Sequence, residues 1–467
     1  MAPKFGTSGL RGLVTELTPA LVADYTRAFL DACPTGGAVQ IGWDLRPSSP
    51  AIADAVIDAV RQAGVRAVSL GAVPTPALAL SAMRAGHAAV MVTGSHIPAD
   101  RNGLKFYRPD GEISKADEAA IIARLGAPAG SGPAAAVTAG ADAARAYVER
   151  IVAAFGSSAL AGLRIGVYQH SSVARDLMVE AMAALGATPV PLARSDSFIP
   201  VDTEAVDPET RALLTGWCRD HALDAVISTD GDADRPMLAD ATGRIVPGDV
   251  LGALTARMLG AEAICTPVSS NSMIASMPEF TQVRLTRIGS PFVIAAMEAV
   301  LADSPDAKVV GYEANGGFLL GFAAMGGRLA PLMTRDSLLP IVAPLAAAVA
   351  RGQTMAELVA GLPQVFTFSD RIPEVPTEAS AALISRLATD AAARASFFAT
   401  GADETGLDQT DGLRVRFADG AVVHLRPSGN APECRCYAEA ATPDAAEALV
   451  RAHLARLRAK LGGPADP

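Results

Sequence analysis

A chain of 467 residues is too long for one hydrophobic core, so three or four domains of ordinary size are expected. Half of its residues are apolar but only 5% are aromatic, a balance that suits helices on small sheets better than a β-sandwich. The net charge of −10 argues against nucleic acid or an anionic membrane as partner, and it requires a local basic pocket for any anionic substrate.

In chain order, the N-terminus shows no signal peptide, because glycines and not an apolar core follow Lys4. The run Phe5-Gly6-Thr7-Ser8-Gly9-Leu10-Arg11-Gly12 lacks the dinucleotide-binding spacing and no strand is expected before it, although Arg11 suits a phosphate contact. Thr18-Pro19 is a helix-start signature, followed by Leu21, Tyr25, Ala28 and Phe29 at helical spacing. A strand is expected at 38–43, a helix opened by Ser49-Pro50 and stopped at Gly64, a strand at 65–70, a helix at 76–84 and a strand at 88–92. This alternation predicts an α/β layer domain.

The low-complexity stretch 127–141 is the best linker candidate. The rhythm then restarts, with strands at 163–168, 188–192 and 224–228 and a helix through 178–185. A third round begins near Asp249, with strands near Ala263, Val283 and Val309 and a helix at 291–301. No residue-level repeat accompanies it. The last hundred residues differ: 413–417 and 421–425 flank Asp419-Gly420, a strong hairpin signal, before a strand at 434–438 and a helix at 443–461. Domains are therefore expected at 1–145, 146–248, 249–362 and 363–467, the last an α+β unit. No run reaches the roughly 18 apolar residues of a membrane span. Five scattered cysteines read as reduced thiols of a cytoplasmic protein. Cys434 and Cys436 share a strand face but lack a second ligand pair, which argues against a metal there.

Four segments carry chemistry. Thr93-Gly94-Ser95-His96 follows an apolar strand, where α/β sheets hold their active residues; Ser95 is a candidate nucleophile and Lys105 a candidate phosphate neutraliser, the alternative being an ordinary turn. Asp230-Gly231-Asp232-Ala233-Asp234-Arg235 places three carboxylates on alternate residues, a hard oxygen set that suits Mg²⁺; a solvated acidic turn is the alternative. Glu313 and Asn315, on a glycine-freed loop, suit neighbouring sugar hydroxyls or simply form a turn. Arg426-Pro427-Ser428-Gly429-Asn430 holds the parts of a phosphate nest, or of a plain loop with a surface arginine. The remaining histidines, His87, His170, His221, His424 and His453, share no context and read as structural.

Together, FGTSGLRG, TGSHIPADRNGLK, DGDADRP, GYEANGGF and RPSGNAPECR resemble the α-D-phosphohexomutase family over essentially the whole chain. That family includes phosphomannomutases, phosphoglucomutases and phosphoglucosamine mutases. The resemblance implies a heart-shaped, four-domain enzyme with three related α/β domains and a smaller α+β lid. It implies that Ser95 is a phosphoserine and that Asp230, Asp232 and Asp234 hold Mg²⁺ with a phosphoserine oxygen. Lys105 and His96 match basic neighbours of the serine, Arg11 a cleft arginine, and Arg235 the arginine after the metal loop. Glu313 matches the sugar loop, and Arg426, Ser428, Gly429 and Asn430 the phosphate loop.

Two departures stand out. Asn315 replaces a serine of the sugar loop, and Ile288-Gly289-Ser290 stands where the family often has Thr-Gly-His, so a histidine proton carrier is absent and Gly289 and Ser290 are left as substrate contacts. The implied reaction interconverts hexose 6- and 1-phosphates through a 1,6-bisphosphate, which also serves as activator. The Glu313 loop is similar to that of phosphomannomutases, although glucose and mannose differ only at C2. A phosphatase using Asp230 as nucleophile and a non-catalytic phosphosugar-binding protein are the readings of other classes. The sequence is silent on oligomeric state.

Overall fold

The computed structural model of the chain describes residues 3–6, 9–126, 133–427 and 433–462. The first helix is Pro19–Ala32; the Thr18 hydroxyl accepts the Leu21 N–H at 3.3 Å, and Pro19 sits where a missing N–H breaks no helical bond. The next helix, Ser49–Gln62, is capped differently from expectation. Ser49 is its first helical residue, and its hydroxyl donates inward to Asp44 at 2.5 Å instead of capping the helix.

Three sheets share one strand order. In the first, Arg66–Ala72, Ala38–Trp43 and Ala88–Val92 are parallel neighbours, and Arg101–Arg108 and Gly111–Glu112 continue antiparallel. The second repeats this with Thr188–Arg194, Arg164–His170 and Ala225–Thr229, then Pro236–Asp240 and Ile245–Val246. The third does so with Gln282–Thr286, Ala263–Pro267 and Val309–Tyr312, then Phe318–Leu320 and Leu332–Asp336. The recurring rhythm is thus a repeat of topology. Its consequence is positional: the turn leaving the third parallel strand occupies the same place in each unit. Those turns carry Ser95, the Asp230–Asp234 trio and Glu313.

One apolar cluster joins the three units. The helices Gly248–Leu259 and Leu339–Arg351 are apolar nearly all round and contribute Leu251, Leu254, Ile341 and Leu345 to a core shared with Ile165, Ile227 and Val310. That shared packing fixes the three turns relative to one another.

Two expectations are corrected. Within the presumed linker, Val137–Ala139 pairs parallel with Arg66–Ala72 and extends the first sheet; residues 127–132 lie outside the described ones. The neighbouring strand offered an open edge, and β-branched Val137 and Thr138 suit it. At the N-terminus a strand does precede the glycine-rich run: Lys4–Phe5 pairs with Leu10–Leu13, which hangs on Arg101–Arg108. Gly9, at φ 84°, makes that return, and a two-residue strand is too short to show a period.

The fourth sheet is antiparallel, in the order Phe366–Pro373, Glu433–Ala440, Val422–Pro427, Leu413–Phe417 and Glu404–Asp408. Its hairpin turns at Gly420, φ 86°, and the helix Pro443–Leu461 packs on one face. Cys434 and Cys436 point into that core, where burial pushes the Cys434 thiol up to about 12; they pack as small apolar groups. All five cysteines are buried and unpaired. No helix among the described residues is long and apolar enough to cross a membrane.

Candidate active site

The buried strand Ala88–Val92 delivers Thr93-Gly94-Ser95 to the centre of the molecule. Thr93 Oγ1 donates to Asp44 at 2.7 Å and accepts the Ser95 N–H at 2.7 Å. Ser95 takes the left-handed conformation, φ 55°, uncommon for a residue with a side chain. Its Oγ donates to Asp230 Oδ2 at 2.6 Å and lies 3.3 Å from His96 Nδ1. Arg11 Nη1 donates to the Gly94 carbonyl at 2.8 Å, and burial lowers this guanidinium to about 10, still charged at neutral pH.

Facing this loop, Asp230, Asp232 and Asp234 are fully buried, with carboxylate oxygens within 4.8 Å of one another. Burial, and then repulsion from the other two acids, pushes Asp230 well above the usual carboxylate range. Burial acts on Asp232 in the same sense, but the Lys105 ammonium, the Thr75 hydroxyl and the Arg335 guanidinium together outweigh it and hold Asp232 below that range. Lys105 Nζ donates to Asp232 Oδ2 at 2.6 Å and to Asp234 Oδ2 at 2.5 Å. Lys105 therefore returns to the site of Ser95, resting on the same acid trio that the serine hydroxyl touches. Thr75 Oγ1 donates to Asp232 Oδ2 at 2.6 Å, and Arg335 Nη2 lies 2.8 Å from Asp234 Oδ2. The other oxygens, Asp232 Oδ1 and Asp234 Oδ1, are buried without a hydrogen-bond partner. A buried acceptor left unmet costs about 1–3 kcal/mol. Two such anionic oxygens, beside an all-oxygen set on one turn, fit a hard divalent cation.

Arg235 Nε makes no hydrogen bond and stands 4.0 Å from both Asp230 Oδ2 and Asp234 Oδ1. Glu313 is buried; burial raises its carboxyl, and Oε2 makes no hydrogen bond, with Arg335 Nη1 3.8 Å away. An acceptor is thus open to a sugar hydroxyl. Asn315 also braces its own loop: its side-chain oxygen accepts the Gly317 N–H at 3.0 Å, and its carbonyl accepts the Thr203 hydroxyl at 3.1 Å. Gly289, at φ 130°, precedes the helix Ser290–Asp303. The Ser290 hydroxyl donates to Glu112 Oε2 at 2.8 Å, while Glu112 Oε1 accepts from Thr334 at 2.8 Å. Ser290 is a tie between the first and third units, because a carboxylate is favoured at that helix N-terminus.

On the fourth unit, Arg426 Nε lies 3.0 Å from Asp411 Oδ2, and the same oxygen accepts the Ile288 N–H of the third unit at 3.0 Å. Arg426 stands directly opposite Arg435 on the next strand. Like charges so placed are unfavourable unless an anion lies between or beside them. Ser428, Gly429 and Asn430 lie outside the described residues. Burial, and then Arg235, Arg11 and Arg435, push His96 well below its ordinary value.

Sequence reasoning passed over Thr75, Arg335, Arg435 and the pair Asp44 and Arg46. Arg46 comes three residues after the strand Ala38–Trp43, a strand-end placement like that of Ser95, and this signal was available. Arg335 lies on a strand that the sequence pattern does not show.

Models described as phosphoglucomutase/phosphomannomutase alpha/beta/alpha domains I, II and III and C-terminal domain match residues 2–129, 145–243, 247–366 and 374–457. A phosphomannomutase of Sinorhizobium fredii is 46% identical, the alignment covering 99% of this chain and 100% of the relative. One of Salmonella muenchen is 44% identical over 98% and 96%. A solved phosphoglucomutase/phosphomannomutase family protein of Burkholderia thailandensis shares the fold, with a TM-score of 0.75 at 24% identity and 98% coverage of each chain.

Proposed function

Since this chain belongs to the phosphoglucomutase/phosphomannomutase family, we propose that it interconverts hexose 6-phosphate and hexose 1-phosphate through phospho-Ser95, with mannose phosphate preferred. The observation that carries this reading is the 2.6 Å contact between Ser95 Oγ and the first aspartate of the acid trio. It puts a nucleophilic oxygen at the edge of a cation site, the arrangement that phosphoryl transfer requires.

Asp230, Asp232 and Asp234 would hold Mg²⁺ together with a phosphoserine oxygen, and the bound ion would withdraw charge from the transferring phosphoryl group. Arg11 and Arg235 supply fixed positive charge along the cleft. His96 Nδ1, 3.3 Å from Ser95 Oγ, can exchange a proton with that oxygen. In the first half-reaction the Ser95 Oγ–phosphorus bond breaks as a sugar hydroxyl oxygen bonds to phosphorus, and the proton that hydroxyl loses ends on Ser95 Oγ, restoring the serine hydroxyl. The resulting 1,6-bisphosphate turns around, and its other phosphate returns to Ser95. Glu313 Oε2 offers an acceptor to a sugar hydroxyl during both halves. Hexose 1,6-bisphosphate added from outside would rephosphorylate any enzyme that has lost its phosphate.

The preference rests on the two phosphomannomutase relatives. Comparing kcat/KM for mannose, glucose and glucosamine 1-phosphates in one preparation tests it. The highest value is expected for mannose 1-phosphate, and a higher value for either competitor reassigns the substrate.

Arg426, held by Asp411, is assigned to the substrate phosphate remote from Ser95. A charge-assisted contact of this kind is worth about 1.5–3 kcal/mol, so Arg426→Ala should raise KM by about 10- to 100-fold. The variant should also need more added bisphosphate, because the intermediate escapes more often. If neither quantity changes, Arg426 does not serve the phosphate.

A further inference from the structure

The chemistry above makes no use of Arg46, a guanidinium only 1% exposed. Nε donates to Asp44 Oδ2 at 3.1 Å. Nη1 donates to the carbonyls of Pro98 at 2.8 Å and Arg101 at 3.1 Å, and Nη2 to those of Ser95 at 2.9 Å and Ile97 at 2.6 Å. All five donors are used, three of them on the backbone of the serine loop and one on Arg101, where the next strand begins. Surface loops ordinarily leave such carbonyls to water. The guanidinium also lies against Gly94, where a methyl group would approach its central carbon to 2.5 Å. Ser95 is thus pinned at both ends, its N–H on Thr93 Oγ1 and its carbonyl on Arg46. A left-handed residue bearing a side chain persists only when its surroundings over-determine it.

Arg46 is itself covered from another unit. The ring of Phe198 lies over it, with the guanidinium carbon 4.1 Å from the ring centroid. Phe198 belongs to the stretch between the strand Thr188–Arg194 and the helix Pro208–His221 of the second unit. The same ring borders Gly231, where a methyl group would meet it at 3.1 Å and the Ser95 carbonyl oxygen at 2.8 Å. The unit that brings the acid trio therefore also brings the cover over Arg46.

We propose that Phe198 and Arg46 form a clamp that positions Ser95 for phosphoryl transfer. Phe198 holds the guanidinium against Gly94, and the guanidinium holds the serine carbonyl so that Oγ stays aimed at the trio. Both are positioning residues, and the inference rests on Ser95 being the phosphoryl carrier. Transfer depends on near-attack geometry, so a loosened loop slows the chemical step more than it weakens sugar binding.

Phe198→Leu keeps apolar bulk and removes the ring face, whereas Phe198→Tyr and Phe198→Trp keep an aromatic face. Each protein is labelled with radioactive phosphate on the enzyme, and its discharge to hexose monophosphate is followed in a single turnover beside steady-state KM. Phe198→Leu should discharge about 3- to 10-fold more slowly, the range expected for a partly desolvated cation–π contact, with KM within about twofold of wild type. At least one aromatic variant should return to within about twofold of the wild-type rate. A Leu variant as fast as wild type, two aromatic variants as slow as Leu, or a change confined to KM would each overturn the clamp. Wild-type protein with no label on Ser95 removes the carrier assignment and the clamp with it; label on Ser95 with an unchanged Leu variant removes the clamp alone.

Discussion

Ser95→Ala should abolish mutase turnover, by about 10⁴-fold or more, because it deletes the atom proposed to carry the phosphoryl group between half-reactions. Backbone strain needs separate control, since Ser95 sits at φ 55° and alanine tolerates that conformation poorly. Ser95→Gly removes the same oxygen and accepts the left-handed backbone, so it should be equally inactive while melting close to wild type. Intact-mass measurement should find one phosphate on wild-type protein and none at this position in either variant. Near-normal turnover by either pure variant would remove the assignment. So would a wild-type phosphate that hydroxylamine releases, which marks an acyl phosphate on an aspartate such as Asp230.

Asp232→Asn should cost about 10³-fold in Mg²⁺-dependent turnover while leaving the fold intact. Asparagine keeps the shape and can still accept from Thr75, which reaches Asp232 Oδ2 at 2.6 Å. What it removes is a formal charge from a trio whose two unmet oxygens already fit a cation. It also removes one of the two carboxylates on which Lys105 rests. Wild-type protein should therefore gain thermal stability when Mg²⁺ is added, because a ligand that binds only the folded state raises Tm, and the variant should gain much less. Calorimetric titration with Mg²⁺ gives a second readout, independent of turnover. Wild-type activity indifferent to EDTA would show that the trio is not a catalytic metal site.

How much of this was legible follows from how locally each feature is encoded. The trio lies on one turn, so three carboxylates and their charge problem can be read from five residues. The serine loop is similarly local, as are the Thr18 cap and the Asp419-Gly420 hairpin. The strands Ala38–Trp43, Ala88–Val92 and Leu413–Phe417 and the helix Pro443–Leu461 fall where the residue pattern predicts them. Lys105 shows the boundary. Its type and rough place were evident, but its partners are Asp232 and Asp234, 127 and 129 residues away.

Ser290 and Asn315, expected as substrate contacts, each have a partner within the protein. Each has a polar side chain suited to a ligand, and the residue type alone does not reveal the partner that the fold supplies. Ser290 meets Glu112 across 178 residues, whereas Asn315 is used by the N–H of Gly317, a turn geometry that its residue type does not specify. The short edge strand Val137–Ala139 is comparable, because pairing with an open neighbour overrode a composition typical of linkers.

By itself, then, the sequence determined the chemical kinds present: a serine at a strand end, three alternating carboxylates on a turn, and a last domain built differently from the others. These are properties of short segments, set by side-chain chemistry and by capping and turn preferences that act within a few residues. The tertiary structure alone decided which groups meet. It placed Ser95 against Asp230, Arg335 against Asp234, and Phe198 over Arg46. The physical reason is that these contacts join separate units, and their alignment is set by a shared apolar core whose packing depends on volume and shape across hundreds of residues.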